Sequence, residues 1–368
     1  MPLLEEIAAA RKEIVTEGYE MSIGELMNLY RDNELQISPA YQRLFRWDGT
    51  RKARLIESIL LGLPLPPIFV YQRADGVWEL IDGLQRVSTL LEFIGALKDG
   101  NGSVVLPSRL GGTTFLPSLD NIGWDPSTPD GNDGIGPALQ IQIKRARLRV
   151  EILKEESDPL IKYELFQRLN TGGVNLSQQE VRNSIGYMVD TAFQSWLITR
   201  AETATFENTI DQTPNAKERQ AHVELALRFF AFRNVEYHNG LDVHEYLDAA
   251  LIQMTRDAPI NRSVEEALFD RTFSLLDAAL GNKAFKRWDG QVFTGAFLMS
   301  VFEVVALGVS RNIDAIELMD PPVRSTYIQD KCKALWADST FVRYSGAGVR
   351  GTTRLSNLLP MAQSYFQP

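Results

Sequence analysis

The hydrophobic pattern changes period once along this chain, and that change limits the folds open to it. Up to about residue 155, short apolar runs alternate with stretches of helical spacing, and Gly or Pro separates them. From Pro159 onward, apolar residues keep helical periodicity almost throughout, as helices with one buried face require. Strands mixed with helices, then helices alone, predict an α+β fold. The division is a mixed N-terminal domain, residues 1–155, followed by an all-helical domain, residues 156–368. A length of 368 residues independently suggests two domains. No repeat of fixed period interrupts this reading.

Within the first part, residues 4–15 read as an amphipathic helix and 19–21 as an extended piece. Ser22 and Glu25 have capping-box spacing, so a helix is expected from there to about Asn33. Residues 35–41 look extended, with Pro39 confining them to an edge or turn. Leu55, Ile56, Ile59 and Leu60 make 51–61 helical. Strands at 68–71 and 77–81 flank a hairpin turn at Ala74-Asp75-Gly76, and 84–97 reads as a helix. Residues 99–137 form a long loop with one short strand near 113–115. Residues 141–153 alternate well enough for a strand. Beyond, helices are expected at 160–169, after a second capping box at Ser177 to Glu180, and at 216–232, 243–256, 264–279, 295–307 and 322–336.

A net charge of -9 means that the surface as a whole repels nucleic acid, so binding there would need a local basic patch. Cys332 is the sole cysteine, which excludes an intramolecular disulfide and suits a small buried thiol in a reducing compartment. The first residues, Met1 to Glu6, lack the basic-then-apolar order of a signal peptide. No apolar run approaches the ~18 residues of a membrane span. The expectation is a cytoplasmic protein with no membrane partner. His222, His238 and His244 are the three histidines, too scattered for a structural zinc site; any other metal is left unknown.

Three polar clusters carry chemistry. In Asp82-Gly83-Leu84-Gln85-Arg86-Val87-Ser88-Thr89 a strand enters and a helix leaves. Gly83 permits a sharp turn and close approach of a ligand. The first helical amides and the dipole favour an anion, and Arg86 adds a clamp suited to phosphate. Asp82 is placed to hold a metal, a sugar hydroxyl or a water that Gln85 orients. The structural alternative is a turn with Asp82 as N-cap and Arg86 solvated.

The second cluster, Tyr41-Gln42-Arg43-Leu44-Phe45-Arg46-Trp47, reads either as a stacking and phosphate-binding edge or as a loop whose aromatics pack inward. The third joins Asn170-Thr171-Gly172-Gly173 to Glu180-Val181-Arg182-Asn183. Helix capping accounts for its glycines but not for Arg182 and Asn183. Separately, Arg145, Arg147 and Arg149 would share one face of a strand. That face is either solvated or a nucleic-acid contact.

In this order the clusters resemble the N-terminal domain of GmrSD-type restriction enzymes, also found in phosphorothioate-sensing SspE proteins. The family hallmark is Asp-Gly-Gln-Gln-Arg in a ParB/sulfiredoxin-like fold. It is matched here by Asp82, Gly83, Gln85 and Arg86, with Gln42, Arg43 and Trp47 upstream, and with Asn170 to Gly173 and Glu180 to Asn183 downstream. The resemblance covers about residues 20–190. It implies binding and hydrolysis of a nucleoside triphosphate, with magnesium as an accompanying ion, as a switch in prokaryotic defence. Asp82, Gln85 and Arg86 would be catalytic. Gln42, Arg43, Gly83, Ser88, Thr89, Asn170, Glu180, Arg182 and Asn183 would bind nucleotide.

Leu84 departs from the motif, in which glutamine stands there. It weakens hydrolysis if that position contacts nucleotide and is harmless if it faces the core. The relatives' His-based nuclease site cannot be built from these three histidines, so the resemblance implies a nuclease or other effector on a separate chain. Two other functions stay open: a non-catalytic module sensing nucleotide or modified DNA, and a protein that binds or nicks DNA directly.

Overall fold

The structure, a computed structural model, describes residues 3–5, 15–37, 47–100, 102–129, 131–154, 165, 168–169, 178–238 and 241–368. The chain divides into two compact units, Met1–Asn175 and Leu176–Pro368. The first contains β1 (Thr16–Ser22), α1 (Ile23–Arg31), β2 (Leu35–Gln36), α2 (Gly49–Leu60), β3 (Ile68–Gln72), β4 (Trp78–Asp82), α3 (Leu84–Ile94), α4 (Pro137–Arg145) and β5 (Arg147–Leu153). Its five strands form one mixed sheet in the order β1-β5-β3-β4-β2. β1 runs antiparallel to β5, and β5 parallel to β3. β3 is antiparallel to β4, and β4 parallel to β2.

Local signals build these elements as the sequence anticipates. Ser22 Oγ caps α1 by accepting from the Glu25 amide at 3.1 Å, while the Glu25 carboxylate accepts from the Tyr19 hydroxyl at 2.9 Å. Asp48 caps α2 through the Arg51 amide at 2.8 Å. Ile68 and Val70 of β3, Leu80 of β4, and Leu148 and Val150 of β5 are buried with Ile56, Val87, Leu90 and Leu91 of the helices. Each such side chain contributes roughly 1.5–3 kcal/mol when fully buried.

The strand expected over 141–153 is in fact two elements. Gly136, at φ 84°, and Pro137 in the first turn start α4, which runs through Arg145. The strand begins only at Arg147. Pro at the first helical position is preorganised for a helix, which outweighs the brief alternation of Ile141 and Ile143. Arg145 therefore ends a helix and does not share a strand face with Arg147 and Arg149. No strand forms at 113–115 either. That turn is anchored instead by Glu57 of α2, a buried carboxylate that accepts from Thr113 Oγ1 and from the Phe115 amide. Helix 4–15 and helix 160–169 lie largely outside the described residues.

The second unit is helical apart from a two-residue hairpin. Its elements are α5 (Gln178–Val189), α6 (Thr191–Ala201), α7 (Ala204–Ile210), α8 (Pro214–Glu218), α9 (Ala221–Asn234), α10 (Val243–Ile252), α11 (Arg262–Leu280), β6 (Arg287–Trp288), β7 (Phe293–Thr294), α12 (Met299–Arg311), α13 (Ile313–Glu317), α14 (Pro321–Ala334), α15 (Ser339–Ser345) and α16 (Gly351–Tyr365). The single helix expected over 216–232 is two, broken where Gln220 adopts φ 62°. Phe206, Phe229, Phe230, Phe269 and Phe273 form an aromatic core with ring centroids 4.5–5.4 Å apart. Among the described residues, no helix is long and apolar enough to cross a membrane.

Candidate functional site

β4 delivers Asp82 to the corner through an irregularity in its ladder. Phe69 pairs with Asp82, yet Val70 pairs with Leu80, so Ile81 is one residue too many for the register. Such a bulge re-aims the side chains beside it. Gly83 follows in the left-handed conformation, φ 100° and ψ 10°, and is the N-cap of α3. Asp82 is thus the last strand residue and not the cap. Gly83 has no side chain, so no side-chain cap covers this start of α3. A Cβ at Gly83 would drive into Ile68 Cγ2 and stand 3.3 Å from Arg86 Nη2, so the corner requires glycine for two separate reasons.

Arg86 is not solvated. Its Nη2 donates to the Pro67 carbonyl at 3.0 Å and to Asp82 Oδ2 at 3.1 Å. This holds the guanidinium beside the helix start, while its Nε is buried without a hydrogen-bond partner. Leu84 is 7% exposed and belongs to the core. The position at which this chain departs from the motif therefore faces the hydrophobic interior.

A polar stripe runs down the adjoining side of α3. Gln85, Ser88, Thr89 and Glu92 are spaced i, i+3, i+4 and i+7, which is one helix face. At its upper end the Trp47 amide donates to Gln85 Oε1 at 3.1 Å. At its lower end Lys52 Nζ meets Glu92 Oε2 at 2.6 Å. Between these ties, Ser88 is 1% and Thr89 0% exposed, and neither hydroxyl has a partner. The Trp47 indole Nε1 is likewise buried and unpartnered. Four of the eight such side-chain atoms among the described residues thus lie on this corner and on Trp47, which is tied to it. Each buried polar group left unsatisfied costs about 1–3 kcal/mol, and a concentration of them signals a missing partner.

Residues 23–186 match the family model of the GmrSD restriction endonuclease, N-terminal domain. The likeness to that family lies in this segment. No curated protein matches the chain. The GmrSD N-terminal domain match begins at the first residue of α1, takes in the whole Asp82–Thr89 corner, and ends inside α5, beyond the division between the two compact units.

The structure gathers Asp82, Gly83, Gln85, Arg86, Ser88 and Thr89 at one corner. Gln42, Arg43 and Asn170 fall outside the described residues, as does the side chain of Glu180. Arg182 and Asn183 belong to the second unit and are engaged within it. Arg182 is 1% exposed. Its Nε bonds Asp248 Oδ1 at 2.5 Å and its Nη1 bonds Gln179 Oε1 at 2.6 Å. Its Nη2 contacts the Nδ1 and carbonyl of His244, both at 3.4 Å. Asn183 Oδ1 accepts from Gln179 Nε2 at 2.6 Å and Gln194 Nε2 at 3.1 Å.

Arg182 also begins an alternating ladder of charges. Glu224 stands 3.7 Å from it and 2.7 Å from Arg228. Arg228 reaches Glu303, which pairs with Arg354. Burial pushes the Glu224 carboxyl up, but Arg228 and Arg182 together pull it below the usual range. These partners explain Arg182 and Asn183 as the polar framework of the helical unit.

Arg147 and Arg149 are exposed on β5, opposite Ser22 and Glu20 of β1. Arg149 Nε bonds Glu151 Oε1 at 2.6 Å, so acidic neighbours offset that basic face. Gln85, Ser88 and Thr89 were singled out from the sequence, but the tie between Trp47 and the corner, the Pro67 carbonyl, and the common face that those three residues share with Glu92 were not. The spacing of Gln85, Ser88, Thr89 and Glu92 in a helix otherwise apolar except for Arg86 was the signal available for the stripe.

Proposed function

We propose that the chain binds a nucleoside triphosphate at the Asp82–Arg86 corner and hydrolyses it as the switch of a restriction-type defence system. The observation that carries this reading is the glycine-capped start of α3 beside a half-buried arginine whose Nε is enclosed without a partner. Amide donors, helix dipole and guanidinium converge where a phosphate chain would lie, the arrangement that electrostatic stabilisation of phosphoryl transfer uses. The family match supports the restriction context. A ParB-like ancestry of the fold is part of the same proposal.

Asp82 is the carboxylate at the corner, and magnesium is usually held by one or two carboxylates, with phosphate and water completing its shell. The donor set therefore fits that ion, which when bound would neutralise phosphate charge. Arg86 neutralises the rest. Gln85, its carbonyl oxygen accepting from the Trp47 amide, stands in the first turn of α3 beside them.

The second reading, a module that binds nucleotide without turnover, is favoured by the ion pair between Asp82 and Arg86. The carboxylate must leave that partner before it serves a metal or a water. An effector on another chain is a partner of either reading. The test is a panel of ribonucleoside triphosphates with and without magnesium, on wild type and on Asp82→Ala. Hydrolysis lost in the variant supports the switch. Binding without turnover selects the second reading, and no binding of any triphosphate removes both.

A further inference from the structure

We infer that an apolar cleft at the far end of α2 receives a basic amphipathic helix of a partner protein; this does not depend on the nucleotide reading of the corner. The cleft has a volume of about 350 Å³. It is lined by Leu60 and Leu61 at the end of α2, by Leu116, Leu119 and Ile122 of the segment between α3 and α4, and by Leu139 of α4. α2 starts beside the corner, where Trp47 is tied to Gln85. Leu60 lies about 17 Å farther along that helix, so the two places are separate.

Residues 99–137, expected as a long loop, supply much of this cleft. Connections of that length are usually functional or disordered, and this one is fastened. The buried Glu57 carboxylate accepts from Thr113 Oγ1 and from the Phe115 amide. Gln142 Nε2 donates to the Leu60 carbonyl at 2.9 Å, and Gln140 Nε2 to the Trp124 carbonyl at 2.7 Å. The Ile135 amide donates to the Gly123 carbonyl at 2.9 Å. Walls held in this way lower the ordering cost of association.

The lining selects a polypeptide. Small-molecule sites set a few convergent polar groups among apolar walls. Here Ser118 is the polar side chain of the lining among the described residues, and it is exposed. Leu61 and Leu139 are exposed as well, as is Phe115 beside Leu116. Apolar surface left open around a cleft marks a protein contact, and an amphipathic helix fills a groove with apolar side chains three and four residues apart.

Charge selects the sign of that helix. Residues 110–143 contain Asp120, Asp125, Asp130 and Asp133 and no Lys, Arg or Glu. Arg109 pairs with Asp133, and Lys144 lies over the Trp124 ring, 5.5 Å from its centroid. Asp120, next to the lining residue Leu119, and Asp125 are exposed. They accept from the Gly112 amide at 3.4 Å and from Gln140 Nε2 at 3.3 Å, neutral donors that do not offset their charge. Lysines or arginines flanking the apolar face of an incoming helix would do so. An anionic lipid surface or a nucleic-acid backbone would be repelled. A second copy would set the same carboxylates against themselves across a two-fold axis.

The probes are two fluorescein-labelled helical peptides with one identical leucine face, their other positions lysine in one and glutamate in the other. Anisotropy follows their binding to the full chain in wild type, in the double variant Leu61→Asn with Leu139→Asn, and in the double variant Asp120→Asn with Asp125→Asn, each checked for cooperative melting. The lysine peptide is expected to bind wild type at least about 10-fold more tightly than the glutamate peptide. The leucine variant, which keeps every charge, should lose about 10-fold in affinity. The aspartate variant, which keeps the cleft, should lose about 3- to 5-fold. Methyl NMR should place the largest shifts on Leu119 and Ile122.

Lysine-peptide binding that the leucine variant leaves unchanged is attraction to the acidic chain at large and overturns the inference. Equal affinity for the two peptides, or none for either, overturns it too. Two other results do so by naming a different occupant. One is a neutral apolar dye, Nile red, that binds the cleft and is not displaced by the lysine peptide. The other is a wild-type dimer in sedimentation that the leucine variant dissolves.

Discussion

The amide of Trp47 donates to the side-chain carbonyl of Gln85 at 3.1 Å, joining residues 38 positions apart. It fastens the start of α2 to the first turn of α3 and uses the Gln85 oxygen as its acceptor. Gln85→Glu keeps an acceptor there and adds negative charge to a first helical turn, which tolerates it. Folding stability is expected to change by less than about 1 kcal/mol. Triphosphate affinity is expected to fall at least about 10-fold from like-charge repulsion. Thermal melts and titration calorimetry report the two effects separately. Unchanged affinity would remove Gln85 from the phosphate site.

Gly83→Ala combines a positive φ with a collision against Ile68. The left-handed backbone alone costs a non-glycine residue about 1–2 kcal/mol, and the collision adds to it. A loss of more than about 2 kcal/mol in urea unfolding is expected. A neutral result would mean that the corner relaxes without strain.

Leu84→Gln places an amide at a core position. The amide would be buried at a site that Leu84 now fills at 7% exposure. Destabilisation of about 1–3 kcal/mol is expected, with no gain in hydrolysis. A turnover rate that rises several-fold would show that position 84 reaches the ligand.

Arg182→Leu leaves Asp248 and Glu224 without their shared cation. Breaking a buried pair from one side costs about 3–5 kcal/mol. Chemical unfolding should register that loss in the helical unit, while tripolyphosphate binding at the corner is retained under folding conditions. Selective loss of binding in a variant of normal stability would return Arg182 to the ligand site.

His222 is buried with its Nδ1 unpartnered. Burial holds it below the ordinary histidine value against the opposing pull of Glu202 and Glu207. As pH drops below about 6.5, the unfolded chain takes up the proton before the folded one does. Stability should therefore decline over that interval and level off once the folded value is passed. His222→Gln should flatten the slope of the urea midpoint between pH 5 and 7.5. An equal slope in both proteins would assign the pH dependence to other groups.

The fold class and the corner were legible because their signals are local. The change of hydrophobic period separates a mixed segment from a helical one. Asp82-Gly83 before an apolar helix marks a turn whose glycine has φ 100°. Two readings failed where a local cue competed with another: alternation at Ile141 and Ile143 lost to Pro137, and the three arginines consequently lost their common strand face. The grouping of Arg182 and Asn183 with the nucleotide site rested on polarity alone. Polarity does not distinguish a ligand site from a buried ion network; the partners Asp248, Gln179 and Gln194 do.

By itself the sequence determined the order of elements, the glycine turn and the arginine beside it, since backbone preference and side-chain spacing act over a few residues. Only the tertiary structure decided that Leu84 faces the core, that Arg86 is held by Asp82 and the Pro67 carbonyl, and that Ser88 and Thr89 are buried without partners. Those facts depend on what other segments bring to the helix. Hydrogen bonding and burial are properties of the assembled neighbourhood and not of the chain's local spacing.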